Sequence, residues 1–356
     1  MISVAFTGGG TGGHIYPGLA VASWLKKIMD CRVFWIGADS GMDRAIVEEA
    51  GLEFFGIPTG KLRRYFSLKN ISDIFRIVRG YFAARKIFRR EKPALLFSKG
   101  GFVSVPPCAA AFSLKIPVFA HESDLSPGLA TRINTRFTEK LFIPYKETAA
   151  FFAPAFRAKL VVSGNPIRPE FSGADPARGR QFLGLQAERM LLVLGGSQGS
   201  QEINGLIKAS LPSLTRYYTV VHQTGSQDEI FMPSDVYKPY GYIKDELPHV
   251  IAAAELVVCR GGAGTIWECA GLGKPMIIIP LRGSGTRGDQ VENARIFAEA
   301  GAAISMVDDP SPQKLSDLVL ELAADEQKRN AMGAAKPGKA DAANYIASMI
   351  KNKVGQ

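Results

Sequence analysis

Thr7-Gly8-Gly9-Gly10-Thr11-Gly12-Gly13-His14 follows the apolar run Ile2-Ser3-Val4-Ala5-Phe6 and leads into Tyr16-Pro17-Gly18-Leu19-Ala20-Val21-Ala22. A short apolar run, a turn built of glycines and a stretch of helix formers read as strand, tight loop and helix. Glycines let the backbone turn sharply and let a ligand approach it closely. The N–H groups at the start of the next helix are then open to an anion. Gly8, Gly10 and Gly13 fit G-x-G-x-x-G, the spacing of a dinucleotide-binding turn. Such a turn has no need of the histidine that follows. His14 sits where a proton could be given or taken, although a lone histidine could equally cap or pack beneath the helix.

Outward from that stretch, the sequence predicts strands over 32–36, 52–57, 94–98, 117–121, 140–143 and 160–162, with a helix over 42–50. Strands separated by helix-length segments indicate βαβ units and a mostly parallel sheet. Prolines and glycines from 166 to 179, just after Gly164-Asn165-Pro166, interrupt the pattern and are read as a linker. It restarts with a strand over 190–194, Gly195-Gly196-Ser197-Gln198-Gly199-Ser200 and a helix over 203–214. Further strands are expected over 218–222, 256–259, 276–279 and 303–306, and helices over 265–272 and 290–300. The fold class is therefore α/β, with two Rossmann-like domains over 1–164 and 165–339. A terminal helix within 340–356 is expected to cover the first domain with Ala342, Tyr345, Ile346, Met349 and Ile350. Ligands of open α/β sheets lie beyond the carboxyl ends of the strands. Two sheets with those ends facing would form a deep cleft lined by both glycine loops.

A chain of 356 residues suits two domains, and 46% hydrophobic with 21% charged residues suits a globular protein. No apolar run approaches the roughly 18 residues of a membrane span. Met1 runs straight into a strand without a secretory leader, so a cytosolic location is expected. Cys31, Cys108, Cys259 and Cys269 lie in apolar settings without metal-ligand spacing and read as reduced core thiols. Of the net charge of +10, residues 61–90 hold +9 (Lys61, Arg63, Arg64, Lys69, Arg76, Arg79, Arg85, Lys86, Arg89 and Arg90 against Asp73). Tyr65, Phe66, Phe75, Tyr81, Phe82 and Phe88 interleave with these cations, as in a segment that docks on an anionic membrane surface. A solvated helix face is the plainer explanation. No nucleic-acid module accompanies the basic stretch, so nucleic acid is not an expected partner.

Cys259-Arg260-Gly261-Gly262-Ala263-Gly264-Thr265-Ile266-Trp267-Glu268 again sets glycines between strand and helix. Glu268 could accept two hydrogen bonds from a ribose diol, or could be a solvated glutamate near a helix start. Gln290 and Asn293, three apart after Asp289, share a helix face. Their amides suit sugar hydroxyls, with helix capping as the alternative. Arg168 could pair with a diphosphate, and Ser197 with its neighbouring N–H groups could hold the same phosphates. Glu122 and Asp124, in His121-Glu122-Ser123-Asp124, follow a strand and could act as general base or bind an acceptor hydroxyl. No two aspartates flank a single residue, so no Asp-x-Asp metal site is evident. Arginine and backbone dipoles would have to stabilise a leaving diphosphate.

Six segments in order resemble the MurG family of bacterial glycosyltransferases over essentially the whole chain. They are Gly8-Gly9-Gly10-Thr11-Gly12-Gly13-His14, Gly100-Gly101-Phe102-Val103-Ser104, His121-Glu122, Gly164-Asn165-Pro166, Gly195-Gly196-Ser197-Gln198-Gly199 and the segment from Cys259-Arg260 through Glu268. The resemblance implies a GT-B architecture and inverting transfer of N-acetylglucosamine from UDP-GlcNAc to undecaprenyl-pyrophosphoryl-MurNAc-pentapeptide (lipid I), giving lipid II for peptidoglycan. It implies no cofactor, no metal, and a peripheral position on the cytoplasmic face of the bacterial membrane. The donor would bind mainly the C-terminal half and the acceptor the N-terminal half. Thr11, Gly12 and Gly13 would contact the donor, while Arg168 and Ser197 would hold its diphosphate. Ile243, in Gly241-Tyr242-Ile243, would meet uracil through its backbone. Ala263, Gly264, Thr265, Ile266, Trp267 and Glu268 would cradle the nucleotide, and Gln290 and Asn293 would read the sugar. His14 and Glu122 are the candidates for base or acceptor contact.

Two departures from the family pattern stand out. Where many members carry His-Glu-Gln-Asn, this chain has Ser123 and Asp124, and Asp124 can accept but cannot donate as an amide would. Asp289 replaces a common glutamine. A different GT-B glycolipid synthase, such as a diacylglycerol glycosyltransferase, is the nearest rival. A dinucleotide-dependent oxidoreductase using Gly8, Gly10, Gly13 and Asp39 would leave the second glycine loop and the Glu268 segment unexplained. A non-catalytic nucleotide-binding module is the remaining alternative.

Overall fold

The computed structural model describes residues 1–60, 69–196, 199–225, 232–283, 288–338 and 341–355. The chain divides into two units, one of Met1–Pro169 with Gly338–Gln356 and one of Glu170–Pro337.

In the first unit the strands are β1 (Ile2–Thr7), β2 (Cys31–Ala38), β3 (Glu53–Ile57), β4 (Leu95–Ser98), β5 (Val118–His121), β6 (Lys140–Ile143) and β7 (Leu160–Val162). They run parallel in the order β3-β2-β1-β4-β5-β6-β7. Helices cover both faces of such a sheet, which is why its strands are apolar almost without alternation. Phe6, Trp35, Phe97, Phe119 and Phe142 pack on one face with the helix Tyr16–Ile28 and with Ile346 and Ile350 of the helix Ala342–Val354. Burying each isoleucine contributes about 1.5–3 kcal/mol, enough to hold the end of the chain on this unit. On the other face Phe34, Ile36 and Leu96 meet Ala84 and Phe88 of the helix Lys69–Glu91 and Cys108 and Ala111 of the helix Val105–Ser113.

The second unit holds β8 (Met190–Leu194), β9 (Thr219–Gln223), β10 (Tyr237–Tyr240), β11 (Leu256–Cys259), β12 (Met276–Ile278) and β13 (Ala303–Ser305). These are also parallel, in the order β10-β9-β8-β11-β12-β13. Strand order therefore reverses between β1 and β4 in one sheet and between β8 and β11 in the other. Both pairs of glycine-rich turns leave their strands at these reversals, where open α/β sheets take ligands.

Two details differ from the sequence expectation. The break between units falls five residues later, because Gly164, Asn165 and Arg168 bond or stack within the first unit. Strand β10, Tyr-Lys-Pro-Tyr, was not expected; Pro239 is accommodated because the strand lies at the sheet edge. The four cysteines are free and buried. Burial pushes the Cys108 and Cys259 thiols up to about 12, so both stay as unreactive thiols.

Candidate active site

In the first unit, loops leaving β1, β4 and β5 converge. Asp43, buried at the start of the helix Asp43–Glu49, accepts the N–H groups of Gly10 at 2.9 Å and Ala38 at 3.1 Å, tying the glycine loop to the end of β2. A Cβ on Gly9 would lie 1.9 Å from Asp43 Oδ2, so a side chain there would collide with the carboxylate that fixes the loop. His14 lies against the second glycine pair, since a Cβ on Gly101, at φ +77°, would be 3.2 Å from its Cγ. Thr11 Oγ1 is 2.9 Å from His14 Nδ1. In the tautomer whose Nδ1–H donates to Thr11, Nε2 carries the lone pair of a base. The Arg168 guanidinium lies 5.4 Å from the centroid of the Tyr16 ring, next to the same loop.

At the end of β5, His121 is buried with Nε2 3.0 Å from Gly164 O. Burial, and then the charge of Lys99, hold its pKa well below the usual range, so the ring is neutral. Its Nε2–H donates, and Nδ1 has no hydrogen-bond partner among the described residues. Glu122 is also buried. Its Oε1 accepts the N–H groups of Ser123 at 2.8 Å and Asp124 at 3.1 Å, and its Oε2 accepts that of Gly128 at 3.1 Å. Both oxygens thus shape the loop 123–128, to which Asn165 adds a bond from Nδ2 to Ser123 O at 2.9 Å. Asp124 is half-buried on that loop.

In the second unit, Ser200 caps the helix Gln201–Leu214 by accepting the N–H of Ile203 at 3.1 Å. The helix Ala263–Gly271, which leaves the switch point after β11, has no side-chain cap. Its first N–H groups, those of Ala263, Gly264 and Thr265, receive no side-chain cap, and the helix dipole favours an anion at such an end. Ile266 and Trp267 turn into the core, Trp267 edge-on to Phe297 with centroids 5.7 Å apart. They can therefore offer only backbone to a nucleotide. Glu268 is half-buried one turn further on. Arg260 donates to Glu202 at 2.6 Å and to Ile279 O at 3.2 Å, and Arg282 donates to Glu202 at 2.8 Å. Burial works against the Glu202 carboxylate, but the two guanidiniums outweigh it and hold its pKa below the ordinary range.

Several residues expected to touch a ligand are occupied. The Ile243 N–H donates to Gln223 Oε1 at 3.0 Å, and Gln223 Nε2 donates to Gly196 O at 3.2 Å. The Ile243 N–H is thus engaged within the unit. Gln290 Oε1 accepts the N–H of Leu281 at 2.9 Å. Asn293 is only 1% exposed, and its Nδ2 donates to Gly261 O at 3.1 Å. Through this bond Asn293 holds the turn after β11 in place, while its Oδ1 has no hydrogen-bond partner among the described residues. Ser197 lies outside the described residues, as do Lys61, Arg63, Arg64, Tyr65 and Phe66 of the basic stretch. Among the described residues, no three His, Cys, Asp or Glu side chains are grouped as metal ligands.

Comparison with known proteins decides the family. Residues 4–143 match the glycosyltransferase family 28 N-terminal domain, and residues 190–347 match the glycosyltransferase family 28 C-terminal domain. The chain belongs to glycosyltransferase family 28. A family relative from Treponema denticola is 46% identical over 349 residues, covering 92% of this chain and 89% of the relative. A second, from Shouchella clausii, is 45% identical and covers 85% of each chain. Both are named UDP-N-acetylglucosamine–N-acetylmuramyl-(pentapeptide) pyrophosphoryl-undecaprenol N-acetylglucosamine transferase. The crystal structure of MurG from Acinetobacter baumannii is similar in fold, with a TM-score of 0.75 at 23% identity over 99% of this chain and 100% of that one. The family 28 fold thus accounts for both Rossmann-like units and for the GT-B class.

Within this family 28 chain, the first unit gathers Thr11, Gly12, Gly13, His14, Glu122, Asp124 and Arg168 at the ends of β1 and β5 and at β7's exit. The second gathers Gln290 and Asn293 beside the turn that leads to Ala263. Sequence reasoning did not single out Asp43, Lys99 or Gln223. Lys99 and Gln223 are buried polar residues at or just past the carboxyl end of a strand, and that position was the available signal; Asp43 is buried at the start of the helix that follows β2.

Proposed function

We propose that this glycosyltransferase moves N-acetylglucosamine from UDP-GlcNAc to lipid I, with inversion at the anomeric carbon, to form lipid II. The observation that carries the reading is 46% identity across 92% of the chain to a transferase named for that donor and acceptor. The reaction needs a base for the acceptor hydroxyl and electrostatic relief for the departing UDP. His14 Nε2 is the base, with Thr11 orienting the ring from Nδ1. Glu122 is not, because both its oxygens are committed to backbone N–H groups; it positions the loop bearing Asp124. The open N-terminus of the helix Ala263–Gly271 faces the donor's negative charge, and Glu268 takes the ribose hydroxyls. Arg168 and Ser197 serve the diphosphate.

The acceptor is carried by a membrane, and the helix Lys69–Glu91 supplies a docking surface. Phe75 is 68% and Phe82 62% exposed, and Val78 lies between them on the same helical stripe. Phe112 of the adjoining helix is exposed too, and Arg85 joins the two helices through Ser113 Oγ at 2.6 Å. Exposed aromatics flanked by Arg76, Arg79, Lys86, Arg89 and Arg90 suit an anionic leaflet at its cytoplasmic face. No helix among the described residues is long and apolar enough to cross a membrane.

The test is transfer of labelled N-acetylglucosamine to a lipid I analogue, with UDP-glucose and diacylglycerol as competing donor and acceptor. Preferential glucosyl transfer to diacylglycerol would replace this reading with the glycolipid-synthase one. Pelleting with vesicles containing anionic lipid, lost in a Phe75→Asp/Phe82→Asp double variant, tests the docking surface.

A further inference from the structure

Asn134 ends the helix Leu129–Asn134 and is 1% exposed. Its Nδ2 donates to Ser104 Oγ at 2.8 Å, and Ser104 Oγ donates in turn to Gly101 O at 2.8 Å, beside the Ser104 N–H at 3.1 Å. Because the amide occupies a lone pair of the hydroxyl, the hydroxyl hydrogen is directed onto the Gly101 carbonyl. Gly101, at φ +77°, is the residue against which His14 lies: a Cβ there would be 2.6 Å from Gly9 O, 3.2 Å from His14 Cγ and 3.4 Å from His14 Nδ1. Asn134 thus reaches the wall of the His14 ring through two hydrogen bonds. Its Oδ1 has no hydrogen-bond partner among the described residues. A buried acceptor without a partner costs stability that an apolar side chain of similar size, such as leucine, would not. Stability therefore explains this amide poorly, and the fixed position of Gly101 explains it well.

We infer that Asn134 is a positioning residue for His14, acting through Ser104 Oγ and the Gly101 carbonyl. The placement of the ring goes beyond the proposed reaction. Only its effect on turnover rests on that reading, in which His14 Nε2 takes the proton.

The test compares Asn134→Leu, Ser104→Ala and the double variant by kcat, by UDP Kd, by denaturant midpoint and by the imidazole NMR signals of histidine-labelled protein. The chain has four histidines, and His14→Ala identifies the signal of residue 14. Each single variant should shift the His14 signal and leave those of His222 and His249 in place. Each should also lower kcat by about two- to tenfold, the worth of one neutral hydrogen bond, with UDP Kd unchanged. The double variant should lose no more than Ser104→Ala alone, since the amide acts through the hydroxyl. A His14 signal unmoved in Asn134→Leu overturns the inference, as does a double variant whose losses in kcat multiply. A lowered midpoint with that signal unmoved would make the amide purely structural. Should Asn134→Leu not fold, Asn134→Ala carries the same comparison. If the wild-type protein transfers no N-acetylglucosamine, the functional reading falls while the His14 signal in the two variants still decides this inference.

Discussion

The two switch points have the same strand order and opposite chemistry. At the first, between β1 and β4, ionisable groups are buried or half-buried side by side: His14, Lys99, His121 and Glu122. At the second, between β8 and β11, the charges are spent on one another in the Arg260–Glu202–Arg282 group, while Gln223, Gln290 and Asn293 clip backbone to backbone. One fold therefore serves two tasks, and the loops decide which. In the proposed reaction the first unit holds charge and moves a proton, and the second keeps a fixed shape around the donor.

The largest expected effect tests the first half of that contrast. His14→Ala should lower kcat by about 100- to 10,000-fold, the usual worth of a positioned base, while UDP affinity measured by calorimetry stays unchanged. Full turnover in this variant would remove the proton-moving role from the first unit.

Next in size is a pH effect that compares the buried histidines. His222 bonds through Nδ1 to Tyr237 at 3.0 Å and through Nε2 to Asn204 at 3.1 Å, and burial lowers its pKa to about 4 from 6.5. His121 is shifted in the same direction. A histidine whose folded pKa is depressed contributes fully above its unfolded pKa, and its contribution is lost as pH falls toward the folded one. For His222 the window runs from pH 6.5 down to about 4 and is worth up to about 3 kcal/mol. Denaturant midpoints should fall across that window, and His222→Gln should flatten the slope by up to one proton while His121 keeps the remainder. A slope that His222→Gln leaves intact would mean that the second unit is not held together by neutral polar bonds of this kind.

Glu268→Ala comes third. Losing a charge-assisted pair to a ribose costs about 1.5–3 kcal/mol, or about 10- to 150-fold in UDP affinity. Titration calorimetry should show this loss with a smaller change in kcat. An equal loss in kcat alone would place chemistry, not recognition, in the second unit.

Much of this was legible in the residues. Strand, glycine turn and helix recur with the right period, so both sheets could be drawn before the structure. The terminal helix announced itself through Ile346 and Ile350, which the first unit buries. Strand β10 was hidden by Pro239, which reads as a strand breaker until its edge position is known. Asn293 shows a subtler limit. Its spacing from Gln290 placed both on one helix face, but periodicity does not say whether that face meets ligand or a neighbouring loop. Asp43 and Lys99 were silent because their effects are made across 33 residues or by the ends of other strands.

Gln223 offers the finest test, because its two bonds can be separated chemically. The amide is buried and joins the glycine loop after β8 to the segment after β10, donating to Gly196 O and accepting from Ile243 N. Leucine at this position would leave both backbone groups without that partner, at about 0.5–1.5 kcal/mol for each bond lost. Gln223→Leu should therefore weaken UDP binding by about 5- to 150-fold. Gln223→Glu keeps an acceptor for Ile243 but cannot donate to Gly196 O, so it should retain more of the affinity. Should the two variants bind UDP equally well, the contact to Ile243 would be irrelevant to the base. Should both bind as wild type, the second switch point would not owe its shape to buried amides, and the contrast between the two units would rest on the first alone.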